Sequence, residues 1–92
     1  MIQSFKDADA QALFAGKAVD RSANIRTVTE RKLQMVHRAV KLDDLRVPPN
    51  NRLEALEGRR AGTFSIRIND QWRVCFRFEG GHAFDVEIVD DH

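Results

Sequence analysis

Three arginines at odd-numbered positions of an alternating apolar run, Arg67, Arg73 and Arg77, and a histidine at the last position, His92, are the residues best suited to chemistry. A guanidinium in mid-strand, such as Arg73 between uncharged Gln71 and Cys75, can grip a phosphate through two parallel hydrogen bonds. An imidazole takes and gives a proton near neutral pH without large retuning. Each also has a plainer reading. Arg67 and Arg77 share their side of the strands with Asp85 and Glu87, where cross-strand ion pairs would contribute under about 1 kcal/mol each. A terminal histidine is commonly frayed and solvated. Here the alternating pattern runs to Val89 and delivers the last three residues to a sheet edge.

Competing chemistries find little support. His37, His82 and His92 lack metal-ligand spacing, and Cys75 lies inside a strand pattern with no histidine near it in sequence. There is no glycine-rich phosphate loop and no serine-nucleophile motif.

The elements that must position these residues follow from periodicity. Residues 2–5 read as a short strand. Asp7 opens a helical stretch with Ala10, Leu13 and Phe14 on one side, and Gly16 ends it. A second helix is expected from Ser22, an acceptable N-cap, with Ile25, Val28, Leu33, Val36 and Val40 inward. Arg26, Arg31, Lys32, Arg38 and Lys41 should then face outward, and Pro48-Pro49 should mark its end. After the prolines the period changes to two. Phe64, Ile66 and Ile68 form one apolar set, Trp72, Val74, Phe76 and Phe78 a second, and Phe84, Val86 and Ile88 a third. Asn69-Asp70, at positive φ, and Gly80-Gly81 supply the turns. Residues 52–56 are a candidate for one more strand. The expected fold class is α+β: one domain over residues 1–92, with the N-terminal helices covering one face of an antiparallel sheet.

Charge adds a direction. Net charge is only +1, yet residues 21–60 carry ten Lys/Arg against five Asp/Glu, while residues 79–92 carry five acids and no Lys or Arg. Such asymmetry can aim a basic surface at phosphates, although a solvated helix face would look the same. A single cysteine excludes an internal disulfide and fits a reducing compartment. The N-terminus has acids where a signal peptide would be apolar, and no window approaches a membrane span. A soluble, cytoplasmic chain with no membrane partner is expected.

Beyond patterning, NRLEALEG at 51–58, GTFSIRINDQWRVCF at 62–76, DVEIVDDH at 85–92 and the opening MIQSF closely resemble the HigB-like toxins of the RelE-like superfamily, nearly end to end. The resemblance implies a small curved antiparallel sheet on two N-terminal helices. It also implies a ribosome-dependent endoribonuclease that cuts messenger RNA in the decoding site and needs no cofactor or metal. The implied partner is a HigA-like antitoxin that neutralises the toxin, and operator DNA is reached only through that antitoxin. Carried over by position, the site comprises Arg73 on the phosphate, His92 in proton transfer and Asp90 orienting His92 or the backbone. Glu54 and Asp91 lie at its edge, and Arg59, Arg60, Arg67 and Arg77 would contact RNA. Three positions depart from the family pattern: Asp91 stands where Tyr is usual, Glu57 where Lys is common, and Glu54 where some relatives carry His and one subgroup Glu. Each makes the site more acidic, and Asp91 and Glu57 imply the alternative of an attenuated toxin that serves as antitoxin-binding co-regulator.

Overall fold

The computed structural model describes residues 1–19 and 24–90. The first helix, α1 (Ala8–Phe14), begins where Asp7 accepts a hydrogen bond from the Asp9 N–H at 2.9 Å. The other carboxylate oxygen of Asp7 accepts from the Ile88 N–H at 3.2 Å, so the cap also ties the helix to the sheet. Gly16, at φ +83°, stops the helix as expected.

The second helix, α2 (Arg26–Arg38), buries Thr29, Lys32, Leu33 and Val36 along one stripe. Its expected start at Ser22 lies outside the described residues. Its end corrects the sequence expectation: the helix stops at Arg38, well before the prolines, and Val40 is 71% exposed. The cause is Asp44, whose carboxylate accepts from both the Val40 and Lys41 N–H groups at 3.0 Å. A side-chain acceptor there offers the backbone an alternative to another helical turn. Those two donors also hold the Asp44 carboxyl below its ordinary pKa. A short 3-10 turn, Leu42–Arg46, follows.

Lys32 is the second correction. Helical spacing turns it outward, yet it is buried, and its Nζ donates to Asn51 Oδ1. Burial, and Arg31 nearby, lower its pKa. Asn51 is itself fully buried, and its Nδ2 donates to the Leu45 carbonyl at 3.1 Å. One amide therefore ties α2 to the proline-containing segment that leads into the sheet. Asn51→Ala should lower stability by roughly 2–4 kcal/mol, because it removes a hydrogen bond to a buried charge and orphans a carbonyl. Thermal unfolding checks this, and an unchanged midpoint would mean that Lys32 reaches water without Asn51.

Four antiparallel strands follow, β1 (Glu54–Ala55), β2 (Thr63–Arg67), β3 (Trp72–Glu79) and β4 (His82–Asp90), paired in that order. Ile2 and Phe5 pair in parallel fashion with Ala83 and Val86 along the free side of β4. Ile66, Val74, Phe76, Val86 and Ile88 pack beneath Leu13, Leu33 and Val36 of the helices, so the α+β expectation holds. Gly80 and Gly81, both at positive φ, make the two-residue turn between Glu79 and His82.

The other hairpin differs from expectation. Neither Asn69 nor Asp70 has positive φ; instead Asn69 Oδ1 accepts from the Gln71 and Trp72 N–H groups, each at 2.8 Å. The side chain thus substitutes for a tight backbone turn, and the loop is wider. The pattern in β4 is also interrupted. The register shifts between Cys75 and Arg77, where Asp85 adopts φ +54°. This bulge inserts a residue, so Phe84 falls opposite Arg77 on the outer face while Ala83, Val86 and Ile88 face the core.

Candidate functional site

Directly opposed residues in an antiparallel sheet share a face, so the register defines the side away from the helices. Arg67 lies opposite Arg73, and Arg73 opposite Val89; Ser65 lies opposite Glu54 and Cys75, and Cys75 opposite Glu87; Thr63 lies opposite Arg77. The expected set Arg67, Arg73 and Arg77 is therefore on one face with Glu54 and Glu87.

That face is not bare at Arg73, which is only 9% exposed. Its Nε donates to Ser65 Oγ at 2.8 Å, and its Nη2 donates to the Arg52 carbonyl at 2.8 Å. Glu54 lies 3.8 Å from the same Nη2. Arg73 is covered because the segment before β1 approaches it, with Arg52 at φ +45° and its carbonyl on the guanidinium. The edge of the guanidinium formed by Nε and Nη2 is thus engaged by protein. Nη1 carries no hydrogen bond among the described residues, and it is the side left for a ligand.

Asp90 stands elsewhere. It lies opposite Trp72, on the helix side of the sheet at the end of β4, and accepts from Gln71 Nε2 at 3.2 Å. Register therefore does not place its carboxylate on the face of Arg73. Asp91 and His92 lie outside the described residues. Arg67 pairs with Asp70 in the loop beyond its own strand and is half-buried.

A second cluster occupies the other end of the face. Arg59 and Arg60, in the 3-10 turn Gly58–Arg60, join Lys6, Arg77, Asp85 and Glu87 around a cleft of about 200 Å³. Glu87 lies between Lys6 at 3.3 Å and Arg60 at 3.5 Å, and Asp85 accepts from Arg77 Nε at 2.9 Å. This bond to Asp85 is the main reason that the Arg77 pKa is raised further. Cys75, beneath the cleft, has its thiol pKa pushed up chiefly by burial, opposite to what a nucleophile needs. Among the described residues no group of three or more His, Cys, Asp or Glu could hold a metal ion, and no helix is long and apolar enough to cross a membrane.

The sequence profile of the family described as "RelE-like toxin of type II toxin-antitoxin system HigB" matches residues 3–92. The chain belongs to this family.

Relatives and folds agree with the assignment. Toxin HigB-1 of Vibrio cholerae serotype O1 is 40% identical over 70 residues, covering 76% of this chain and 73% of its own. Endoribonuclease HigB of Proteus vulgaris is 31% identical over 94 residues, with both chains fully covered. Among solved structures, a YafQ mutant from E. coli superposes with TM-score 0.67 at 10% identity, over 99% of this chain and 92% of its own. The YoeB/ParE toxin from Agrobacterium tumefaciens gives TM-score 0.61 at 16% identity, over 99% and 98%. At such identities these two show a shared RelE-like fold and nothing more.

For a HigB-like toxin of this sequence, the residues that type and spacing did not single out are Ser65, Lys6 and the Arg52 carbonyl. Alternation alone puts Ser65 on the face of Arg73, and a buried hydroxyl needs a partner, so that signal was present. Lys6 gave none, because its place depends on the N-terminal segment pairing beside β4.

Proposed function

We propose that this toxin is a ribosome-dependent endoribonuclease that cuts messenger RNA in the decoding site. The RNA's own 2′-hydroxyl attacks the adjacent phosphorus, the P–O5′ bond breaks, and a cyclic phosphate and a 5′-hydroxyl result. The 2′-proton must leave and the 5′-oxygen must gain one; His92 carries the proton transfer. Arg73 supports the phosphate through Nη1 while Ser65 and Arg52 hold its other edge. Asp90 acts on the backbone or the orientation of His92 rather than on the phosphate, in keeping with its register opposite Trp72. Glu54 and Asp91 border the site. Arg59, Arg60, Arg67 and Arg77 contact RNA. A HigA-like antitoxin neutralises the toxin and carries it to operator DNA. The chemistry needs no metal, since the nucleophile is already part of the substrate.

The observation that carries this reading is the Arg73 arrangement: a buried guanidinium fixed by two neutral acceptors on a sheet face. The endoribonuclease name of the Proteus vulgaris relative supports it. A second reading, an attenuated toxin retained as antitoxin partner and co-regulator, is favoured by the carboxylates that already engage the cations. Glu54 stands by Arg73, Asp85 by Arg77, and Glu87 by Lys6 and Arg60. Asp91 and Glu57 act in the same direction. Half-exposed pairs such as Asp85–Arg77 contribute under about 1 kcal/mol, so RNA can displace them, and the nuclease reading stands ahead.

Incubating a defined message with the toxin, with and without programmed ribosomes, tests this. Fragments ending in cyclic phosphate should form only with ribosomes. No fragments in either tube would overturn the nuclease reading; Asp91→Tyr should then gain cleavage if only base stacking, roughly 1–3 kcal/mol per base, is missing.

A further inference from the structure

The cleft at the far end of the outer face has a feature that neither packing nor the proton chemistry explains. Three separate segments bring Lys6, Arg59, Arg60 and Arg77 to one place, about 13 Å along β3 from Arg73 at four residues' rise. Their counter-ions come from β4. Asp85 reaches Arg77 from φ +54°, a left-handed conformation that most side chains avoid and that glycine, asparagine and aspartate adopt most readily. Ser4 holds that conformation, its Oγ accepting from the Asp85 N–H at 2.9 Å and its carbonyl from the Val86 N–H at 3.1 Å. A bulge could use glycine without strain; an aspartate there gives Arg77 a carboxylate. Arg77 is fixed on its other side by the Phe84 ring, 5.2 Å from the guanidinium carbon, so it keeps its position when Asp85 lets go. With Glu79 included at 3.8 Å from Arg77, four cations meet three carboxylates, and Arg59 has no carboxylate partner among the described residues.

We propose that this cleft is a second phosphodiester site for RNA, separate from the scissile one, and that Asp85 and Glu87 are its built-in counter-ions. In the free toxin they stand where phosphate oxygens would, and they set how tightly RNA is held. A phosphate entering between Arg60 and Arg77 replaces them with an anion bound by the same donors, and the carboxylates turn to water. The exposed pairs contribute too little to sheet stability to be needed for the fold. The site rests on the RNA reading above, yet its binding can be measured without cleavage.

A 2′-O-methyl oligoribonucleotide, which cannot attack itself, serves as message-like probe in fluorescence anisotropy. Sedimentation with vacant ribosomes serves as the ribosomal-RNA arm. Asp85→Asn, which tolerates the same backbone conformation, and Glu87→Gln should each tighten binding about three- to tenfold. Arg60→Gln and Arg77→Gln should weaken it and flatten the logarithmic salt dependence by about 0.7 for each phosphate no longer neutralised. Circular dichroism confirms that each variant is folded. Changes in the oligonucleotide arm assign the phosphate to the message, and changes in the ribosome arm assign it to ribosomal RNA; either supports the site. Unchanged RNA binding in both arms overturns it, whatever the variants do to antitoxin affinity. The two readings separate cleanly: a toxin that never cleaves but shows these shifts keeps the cleft site and loses the nuclease assignment, and the reverse pattern does the opposite.

Discussion

Replacing His92 with Ala should lower cleavage of a programmed message by about 10²–10⁴-fold, with thermal unfolding unchanged. The structure narrows the choice of imidazole by placing the other two. His37 accepts the Ile2 N–H on Nδ1 at 3.1 Å and packs at a tilt against Phe14, ring centroids 5.0 Å apart, among the helices rather than on the sheet's outer face. His82 sits beside the Gly80–Gly81 turn, with Nδ1 3.0 Å from Gln3 Nε2, at the opposite end of β3 from Arg73. Neither has a path to the phosphate that Arg73 would hold. Beyond the bulge at Asp85, β4 continues to Asp90, two positions before His92 in the sequence. His82→Ala is the control and should cleave as the parent does. Equal cleavage by the His92 variant would remove the histidine from the mechanism, and with it the assignment of Asp90 as its positioning group.

How much of this was legible depends on whether the cause was local. The period-two runs and the Gly80-Gly81 pair are local, and three antiparallel strands were readable from them, whereas the two-residue β1 carries no such period and residues 52–56 gave only a candidate strand. The end of α2 was not, because it depends on Asp44 bending back to the Val40 and Lys41 amides, and a three-to-four spacing carries on past such a cap. Lys32 escapes sequence reading for a related reason: residue type argues outward, but its partner, Asn51, is nineteen residues away in sequence. In β4 simple alternation puts Phe84 in the core, and the bulge at Asp85 moves it to the face of Arg77. The site shows the same division. Arginine type and strand parity place Arg67, Arg73 and Arg77 on one face. Which of them is buried is set by the Arg52 carbonyl and Ser65 hydroxyl, and so by strand register and a crossing segment. The resemblance groups Asp90 with Arg73 and His92, and strand register puts Asp90 opposite Trp72, on the other face from Arg73.

Arg73 should be the residue at which stability and activity fall together. Arg73→Ala leaves the buried Ser65 hydroxyl without its donor, at about 1–3 kcal/mol, and costs less at the part-buried Arg52 carbonyl, which water can reach. Roughly 2–4 kcal/mol in total would lower the melting temperature by about 10–25 °C in a domain of this size. Cleavage per folded molecule should also fall about 10²–10³-fold, the usual loss when a preorganised donor to a developing oxyanion is removed. Because the alanine variant can lose activity merely by unfolding, two further variants separate the effects. Ser65→Ala removes only the acceptor on Nε. It should cost under about 2 kcal/mol and reduce cleavage mildly, since Arg52 still anchors Nη2. Arg73→Lys keeps the charge but places its three donors on one nitrogen, which cannot reach Ser65, Arg52 and a phosphate at the separate positions that the planar guanidinium spans. It should remain folded at assay temperature and cleave poorly. A folded Arg73→Lys toxin with full cleavage would show that any positive charge suffices there. The guanidinium fixed by Ser65 and Arg52 would then be a brace for the sheet rather than a phosphate clamp.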